Sequence, residues 1–290
     1  MREAEAICHS AVTIVNAMAT GKGAAVGLDL WTWAKVVLTQ SPGNIVCRNL
    51  VEPGDDQLMR IIVKNIFREF NLLERYGAIV ETRSNIPVAV GLKSSSAASN
   101  AISLATIKAM GIEIDRYQIV RLGVTSSLEA GVTITGAFDD ACACYFGGLM
   151  ITNNRTCQVL EHFIPSLDFS AVVYVPSTKK YTKDVDVSGL NKIRPIIELA
   201  FQEALKGNYW FALTLNGLAY SEVFGYDTDP VRRAIFSGAV AAGLTGKGPA
   251  FVAIVSRENL RKVKKAWSSL PGRVIIASFN LQEAKSMVNP

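Results

Sequence analysis

The feature that most constrains this chain is a short segment, residues 87–97, that leads from a proline into an alanine-rich stretch. It reads Pro-Val-Ala-Val-Gly-Leu-Lys-Ser-Ser-Ser-Ala, so a glycine permits a tight turn and three serines open the predicted helix. The first N–H groups of a helix have no partner within the helix and lie at its positive end, where phosphate binds readily. The segment therefore predicts a phosphate site or, in the simpler interpretation, a serine-capped helix after a turn.

Composition describes a well-packed protein with a mildly basic charge. The chain has 290 residues, of which 49% are hydrophobic and 19% charged, and a formal net charge of +5. That length suits one large domain or two ordinary ones. We find no apolar run of the ~20 residues that a membrane-spanning helix needs, no signal-peptide layout and no basic tract typical of nucleic-acid binding. We therefore expect a cytoplasmic protein that acts on small anionic molecules.

The five cysteines do not indicate a metal site. Cys142 and Cys144 are separated by one residue, which is the wrong spacing for a zinc knuckle, and the chain has only two histidines. We expect thiols with a structural role in a reducing compartment.

Periodicity predicts an α+β protein in which strands and helices alternate irregularly. The predicted strands are residues 5–18, 24–39, 76–84, 169–176 and 273–279, with a buried strand after the glycine loop 243–248. The predicted helices are a segment capped by Asp55 and Asp56, then residues 94–110, 117–129, 193–206, 210–224, 229–241 and 258–270. A change to polar turn residues places a domain boundary near residue 155, which gives domains 1–155 and 156–290.

Two neighbouring acids, Asp139 and Asp140, lie in an apolar segment bounded by glycines. They are either acids at a helix N-terminus or catalytic carboxylates, and the residues alone leave both open. Lys22 stands between two glycines but does not form a P-loop, because the earlier glycine and the following serine or threonine are both missing.

The loop resembles, at every fixed position, the phosphate-binding signature Pro-x-x-x-Gly-Leu-x-Ser-Ser-x-Ala of the GHMP kinases, which include the galacto-, homoserine and mevalonate kinases. The glycine loop 243–248 resembles their third motif, which folds back beside the phosphate loop. The resemblance implies a two-domain α+β fold, with an N-terminal domain like domain 2 of ribosomal protein S5 and a C-terminal ferredoxin-like α/β sandwich. It also implies an ATP site made by Pro87, Val88, Ala89, Val90, Gly91, Leu92, Lys93, Ser94, Ser95, Ser96, Ala97, Gly246 and Gly248.

The resemblance extends to the acids. Mevalonate-type members carry an aspartate seven residues before a Gly-Gly pair and a glutamate eleven residues before that aspartate, and Asp140 and Glu129 fit both spacings. It implies that Glu129 holds Mg²⁺ with a motif serine, here Ser95, and that Asp140 faces the substrate hydroxyl, with Asp139 as the alternative. Lys22 is a candidate for stabilising the charge that develops during phosphoryl transfer.

The usual first GHMP motif is absent. Residues 10–25, 27–30 and 135–141 instead resemble the archaeal-type shikimate kinases. This implies ATP-dependent phosphorylation of the shikimate 3-hydroxyl, a step towards chorismate and the aromatic amino acids. The carboxylate of shikimate requires a cation, and the candidates are Arg83, Lys179, Lys180 and Arg194.

Two other functions stay open. One is a different GHMP kinase for a small alcohol, of the homoserine or mevalonate type, although homoserine kinases characteristically lack the acid that Asp140 supplies. The other is a GHMP-fold protein that binds a nucleotide or metabolite without catalysis. The sequence indicates no oligomeric state.

Overall fold

A computed structural model describes residues 2–51, 56–177 and 188–289. The strands are β1 (Glu3–Val15), β2 (Lys22–Thr39), β3 (Ile45–Asn49), β4 (Gly77–Ser84), β5 (Leu149–Asn153), β6 (Gln158–Phe163), β7 (Phe169–Pro176), β8 (Ala241–Leu244), β9 (Phe251–Ser256), β10 (Gly272–Ala277) and β11 (Lys285–Asn289). The helices are α1 (Gln57–Glu69), α2 (Ser94–Met110), α3 (Arg116–Glu129), α4 (Phe138–Phe146), α5 (Leu190–Leu205), α6 (Tyr209–Phe224), α7 (Asp229–Phe236) and α8 (Leu260–Ser268).

The first sheet has seven strands and carries the predicted phosphate loop. Its main path is β11-β1-β2-β4-β3, and β5 pairs with both β2 and β6. Residues of β1 are buried in alternation up to His9, as expected of a strand with one face on the core, and Ser10–Val15 are buried on both faces. Helix α2 packs on the buried face of β1 and β2, and α1, α3 and α4 pack around α2. The phosphate loop therefore joins β4 to the central helix of this layer.

The second sheet has four strands in the order β10-β7-β9-β8. Helix α6 packs so closely on β8 that a Cβ on Gly217 of the helix would overlap the Cα of Gly243 in the strand. Helix α6 also contacts β1 of the first sheet, and α5 contacts β1 and β2. Helix α6 thus joins the two sheets, and its Tyr220 hydroxyl accepts a hydrogen bond of 2.9 Å from the Ala19 N–H, just before β2.

The predicted α+β architecture is confirmed, and most predicted elements differ from the observed ones by a few residues at their ends. One prediction is wrong: the helix over 229–241 ends at Phe236, and Ala241–Leu244 is strand β8. Four residues that include a glycine are too few to show a strand period, and the apolar Ala239–Leu244 run reads equally well as a helix end. The sequence analysis also missed β11, which pairs antiparallel with β1.

The predicted boundary near residue 155 falls between β5 and β6, which are paired strands of the first sheet. The last strand, β11, belongs to that sheet as well. The division into 1–155 and 156–290 stays a prediction, and the sheet topology assigns β6 and β11 to the first sheet.

The predicted cap Asp55, like Lys179 and Lys180, lies outside the described residues, while Asp56 precedes α1 without a side-chain capping bond. No helix in the described ranges combines the length and the apolar character needed to cross a membrane.

Candidate active site

The predicted phosphate loop ends at the N-terminus of α2, a helix of 17 residues. The residue before the helix, Lys93, has a left-handed backbone with φ of 59°, and no side chain caps the helix. Ser94, Ser95 and Ser96 form the first turn and are half-buried. The simpler interpretation, in which a serine serves as the N-cap, is thus not what the structure contains. The first N–H groups of α2 have the geometry of an anion site.

The glycine loop before β9 lies directly against the phosphate loop. The Ala250 N–H donates to the Val90 carbonyl oxygen over 3.1 Å, and the Thr245 hydroxyl donates to the Gly91 carbonyl oxygen over 3.1 Å. A Cβ on Gly91, which has φ of +90°, would overlap the Thr245 carbonyl oxygen, so this position requires glycine. The expected proximity of the two loops is confirmed, and it brings Gly246 and Gly248 next to the start of α2.

Asp140 and Lys93 form a buried ion pair at the junction of the loops. The Lys93 Nζ lies 3.0 Å from Asp140 Oδ2, and their side chains are 8% and 12% exposed. The same ammonium donates to Thr13 Oγ1 of β1 over 2.6 Å. The other carboxylate oxygen of Asp140, Oδ1, is buried and has no hydrogen bond from the described residues. Buried polar atoms are normally satisfied, so an unsatisfied carboxylate oxygen points to a partner that the protein itself does not provide.

Asp139 is held in a different way. Its Oδ1 accepts a hydrogen bond of 2.7 Å from Asn154 Nδ2, and its N–H donates to Asn154 Oδ1 over 3.1 Å. Burial of the Asp139 carboxyl, together with the charge of Asp140, raises its pKa to about 7. Lys93 and Asn154 offset part of this effect. The two aspartates therefore differ: Asp140 is paired with a cation, whereas Asp139 is held by an amide and has a pKa above that of an ordinary aspartate.

This difference predicts a pH-dependent stability. Below pH 3.8, the ordinary pKa of the group, the Asp139 carboxyl is protonated in both the folded and the unfolded chain. Between that value and about 7 the unfolded chain loses the proton and the folded protein keeps it, so the free energy of unfolding falls as the pH rises. One pKa unit corresponds to roughly 1.4 kcal/mol, so a loss of a few kcal/mol is the upper limit.

Urea unfolding of the wild type and Asp139→Asn at acidic and at neutral pH measures this effect. We expect the stability of the variant, relative to the wild type, to increase as the pH rises through this window, because asparagine has no proton to lose. Other titrating groups cancel in that difference. If the stability of Asp139→Asn relative to the wild type is the same at both pH values, Asp139 is ionised throughout this pH range in the folded state.

Lys247 adds a second ammonium near Lys93. Burial, and then the neighbouring charge of Lys93, lower the pKa of Lys247 to about 8, while Asp140 acts in the opposite direction. Two lysines and the N-terminus of α2 thus concentrate positive charge around the loop. Such an arrangement suits a polyphosphate.

Two other predicted site residues are placed at the edges of this region. The Lys22 ammonium pairs with Glu198 of α5 at 2.6 Å, with both side chains more than a third exposed, and no ion pair or hydrogen bond joins it to the aspartates. Glu129 is exposed at the C-terminal end of α3, where its Oε2 accepts from Asn65 Nδ2 over 2.7 Å. Helices α2 and α3 contact each other where Ser99 Oγ and Ser127 Oγ lie 2.7 Å apart, two residues before Glu129.

Within the described ranges, no three histidine, cysteine or acidic side chains converge on a common metal position. This does not count against Mg²⁺, because Mg²⁺ is typically held by one or two carboxylates together with water and substrate phosphates. Glu129 is an exposed carboxylate of that kind, two residues after the Ser127 that contacts Ser99 of α2.

A groove of about 520 Å³ begins at the phosphate loop. It runs between the two sheets and is lined by Asn49, Asn85, Pro87, Val88, Val175 and Arg273, among others. The lining combines apolar side chains with amides, hydroxyls and an arginine, a mixture that suits a flat heterocyclic base with polar edges. Another cavity, of about 390 Å³ at the edge formed by β1, β2 and β11, contains none of the predicted site residues.

The structure thus brings together the loop 87–97, the loop 245–248 and the two aspartates. Sequence reasoning missed three residues that contact them: Thr13, Asn154 and, as an active-site cation, Lys247. Thr13 and Asn154 carry no local signal, because they meet their partners only through the pairing of β1, β2 and β5. Lys247 lies within the glycine loop 243–248, for which the sequence analysis named only the glycines as site residues.

The fold and this site together define a class. The family model "GHMP kinases N terminal domain" matches residues 57–148, which include the phosphate loop and both aspartates. A homoserine kinase from Cytophaga hutchinsonii superposes with a TM-score of 0.78 at 16% identity, over 98% of this chain and 97% of that one. The mevalonate kinase of Methanococcus jannaschii gives a TM-score of 0.75 at 18% identity, over 95% and 98%. The architecture is that of the two-domain GHMP kinases.

Sequence similarity identifies the family more specifically than the structural superpositions do. A shikimate kinase of Methanosarcina acetivorans is 41% identical over 98% of this chain and 96% of its own length. A shikimate kinase of Pyrococcus abyssi is 44% identical over 93% and 97%, and that of Methanothrix thermoacetophila is 42% identical over 97% and 95%. The chain belongs to the archaeal shikimate kinase family of the GHMP kinases.

Proposed function

We propose that this protein is an ATP-dependent shikimate kinase, which transfers the γ-phosphoryl group of ATP to the 3-hydroxyl of shikimate. Similarity over nearly the full length to shikimate kinases of several archaea supports shikimate as the substrate. The reaction type is supported by a single geometric observation: a buried carboxylate, Asp140, has one oxygen on Lys93 and one unsatisfied oxygen beside a phosphate-binding helix end. Phosphoryl transfer needs little covalent chemistry, so positioning and charge are what the protein must supply.

The phosphates of ATP would lie on the N–H groups and hydroxyls of Ser94, Ser95 and Ser96. Lys93 and Lys247 would neutralise the negative charge from two sides, and the groove beyond Pro87 would receive the base. The contact between the two glycine loops keeps this site in one shape before ATP binds, because Gly91 and Thr245 are hydrogen-bonded directly. A preorganised site of this kind stabilises developing charge without reorganising.

Asp140 is the residue that would act on the substrate hydroxyl. Its Oδ1 is available to accept the hydroxyl proton as the phosphoryl group arrives, while Oδ2 stays on Lys93. The ion pair with Lys93 fixes the orientation of the Asp140 carboxylate. The neighbouring Asp139, which is held by Asn154, would support the segment rather than take the proton.

A coupled assay of ADP release tests the proposal. The purified protein is given ATP, Mg²⁺ and one of three alcohols: shikimate, homoserine or mevalonate. We expect release with shikimate only, and a product that mass spectrometry identifies as a monophosphate of shikimate. Release with homoserine or mevalonate, and not with shikimate, would contradict the assignment.

Mg²⁺ would be held by Glu129 together with Ser95 and the phosphates of ATP. When bound, the ion neutralises charge on the phosphates. We expect Glu129→Gln to lower turnover, with only partial recovery at raised Mg²⁺ concentration, because the amide lacks the charge that holds the ion. The fold should survive, since an amide oxygen can still accept the hydrogen bond from Asn65.

The measurement is turnover as a function of Mg²⁺ concentration at saturating ATP. Glu69→Gln, at the exposed end of α1, is the matched control and should behave as the wild type. An unchanged Mg²⁺ dependence in Glu129→Gln would leave Glu129 as a surface acid that holds Asn65.

A further inference from the structure

The turn that follows β5 carries an arginine beside the candidate active site. Arg155 comes directly after Asn154, the amide that holds Asp139. The Asn154 N–H donates to the Gly21 carbonyl oxygen over 2.8 Å, so this turn lies against the start of β2. A Cβ on Gly21 would overlap the Arg155 Nε and lie 2.7 Å from its Cγ. The arginine is exposed, but its stem rests on this glycine, which restricts where its guanidinium can lie.

Arg155 has a charge that no described carboxylate neutralises, as the ion pairs of the described ranges do not include it. The neighbouring Lys22 differs in this respect, because Glu198 pairs with it at 2.6 Å. An oriented and unpaired guanidinium is suited to a carboxylate, which it binds with two parallel hydrogen bonds.

The separation between Arg155 and the aspartates matches a small substrate. Gly21 contacts Arg155, and a Cβ on Gly23 would overlap Asp139 Oδ2. These glycines are two residues apart at the start of β2, so Arg155 and Asp139 contact neighbouring positions of the same segment. In shikimate the carboxylate and the 3-hydroxyl are attached to ring carbons that are separated by a single ring carbon, so one molecule can place both groups within this short span.

We propose that Arg155 binds the carboxylate of the acceptor substrate while the substrate hydroxyl lies at Asp140. This inference rests on the proposed function, because it takes shikimate as the acceptor. It favours Arg155 over Arg83, which pairs with Trp33 in the sheet, ten residues along β2 from Gly23. Arg155 and Arg194 are both exposed, but Arg194, on α5, has no described contact with the turn that holds Asp139.

The test compares shikimate with its uncharged methyl ester in the wild type and in Arg155→Ala, Arg155→Gln and Arg155→Lys. We expect Arg155→Ala to raise the KM for shikimate by about 10- to 100-fold, as for loss of a charge-assisted pair, with little change in the KM for ATP. The preference for shikimate over the ester, as a ratio of kcat/KM, should fall by a similar factor. Arg155→Gln should behave like alanine, and Arg155→Lys should restore part of the preference. Arg261→Ala, an exposed arginine of α8, is the control.

An unchanged preference in Arg155→Ala and Arg155→Gln would overturn the carboxylate site. So would a fall in kcat with an unchanged KM for shikimate, because it would place Arg155 in the chemical step. Wild-type protein that releases no ADP with shikimate would overturn the proposed function itself, and the carboxylate site with it. The two failures are distinguishable because the first requires an active wild type.

Discussion

Asp140→Asn is expected to lower the turnover of shikimate by ~10²- to 10⁴-fold, the typical contribution of a positioned proton acceptor. Asparagine fills the same space but does not take up a proton at Oδ1, the buried oxygen that has no described partner. ATP affinity should change little, because the serines of α2 and the lysines that surround the loop are untouched. Turnover and ATP binding are measured on the same preparation.

Asp139→Asn is the matched comparison. It changes the neighbouring residue in the same way, yet its Oδ1 still accepts from Asn154. We expect a much smaller loss of turnover. If Asp139→Asn were the inactive variant and Asp140→Asn the active one, the proton acceptor would be Asp139. If both stayed active, no carboxylate would act on the hydroxyl.

Loss of the Asp140 charge also affects the fold, and this effect must be measured separately. Asp140→Asn leaves the Lys93 ammonium buried without its carboxylate, and breaking a buried ion pair costs ~3–5 kcal/mol in comparable cases. Lys93 retains its hydrogen bond to Thr13, which limits the cost. Urea unfolding of the variant shows whether the protein is folded under the conditions of the assay.

The phosphate loop was predictable from sequence because its information is local. A proline, a glycine and three serines within 87–97 determine the turn and the helix start by themselves. The same holds for α3, whose cap Asp115 accepts from the N–H groups of the first turn. The resemblance to the GHMP kinases added the third glycine loop, and the contact between Thr245 and Gly91 confirms that the loops meet.

The pairing of the charged groups in the site was less predictable, because it depends on contacts between segments that are distant in the sequence. Thr13, Lys93 and Asp140 lie on β1, at the start of α2 and on α4, and only the packing of α2 and α4 on β1 brings them together. Spacing along the chain gives no sign of that triplet. It equally gave no sign that Lys22 would pair with Glu198 across the sheet layers.

The prediction of the short strands β8 and β11 failed for a related reason. Strand β8 has four residues and is specified by its neighbours, because Gly243 fits against Gly217 of α6. Strand β11 is largely polar in sequence and is specified by its pairing with β1. A local pattern of four or five residues does not contain that information.

Lys93→Met is expected to lower kcat by ~10²- to 10³-fold, comparable to the loss of one donor that stabilises developing charge. Lys93 lies between the helix end that would hold the phosphates and the carboxylate that would face the hydroxyl, so its charge bears on both sides of the transfer. Methionine keeps the unbranched side chain at this left-handed position, so the backbone strain is the same in both proteins. The loss should appear in kcat and in kcat/KM for shikimate alike.

Lys22→Met tests whether Lys22 or Lys93 is the lysine that stabilises the charge developing during phosphoryl transfer. Sequence reasoning assigned the stabilising cation to Lys22, whereas the structure has Lys93 on Asp140 and Lys22 on Glu198. An exposed ion pair contributes ~0–1 kcal/mol, so Lys22→Met should fold normally and lose less than about 10-fold in kcat. The two variants differ by the same chemical change, and only their positions distinguish them. If Lys22→Met were the inactive variant and Lys93→Met the active one, the catalytic cation would have to reach the substrate from β2, and the pair between Lys93 and Asp140 would be structural.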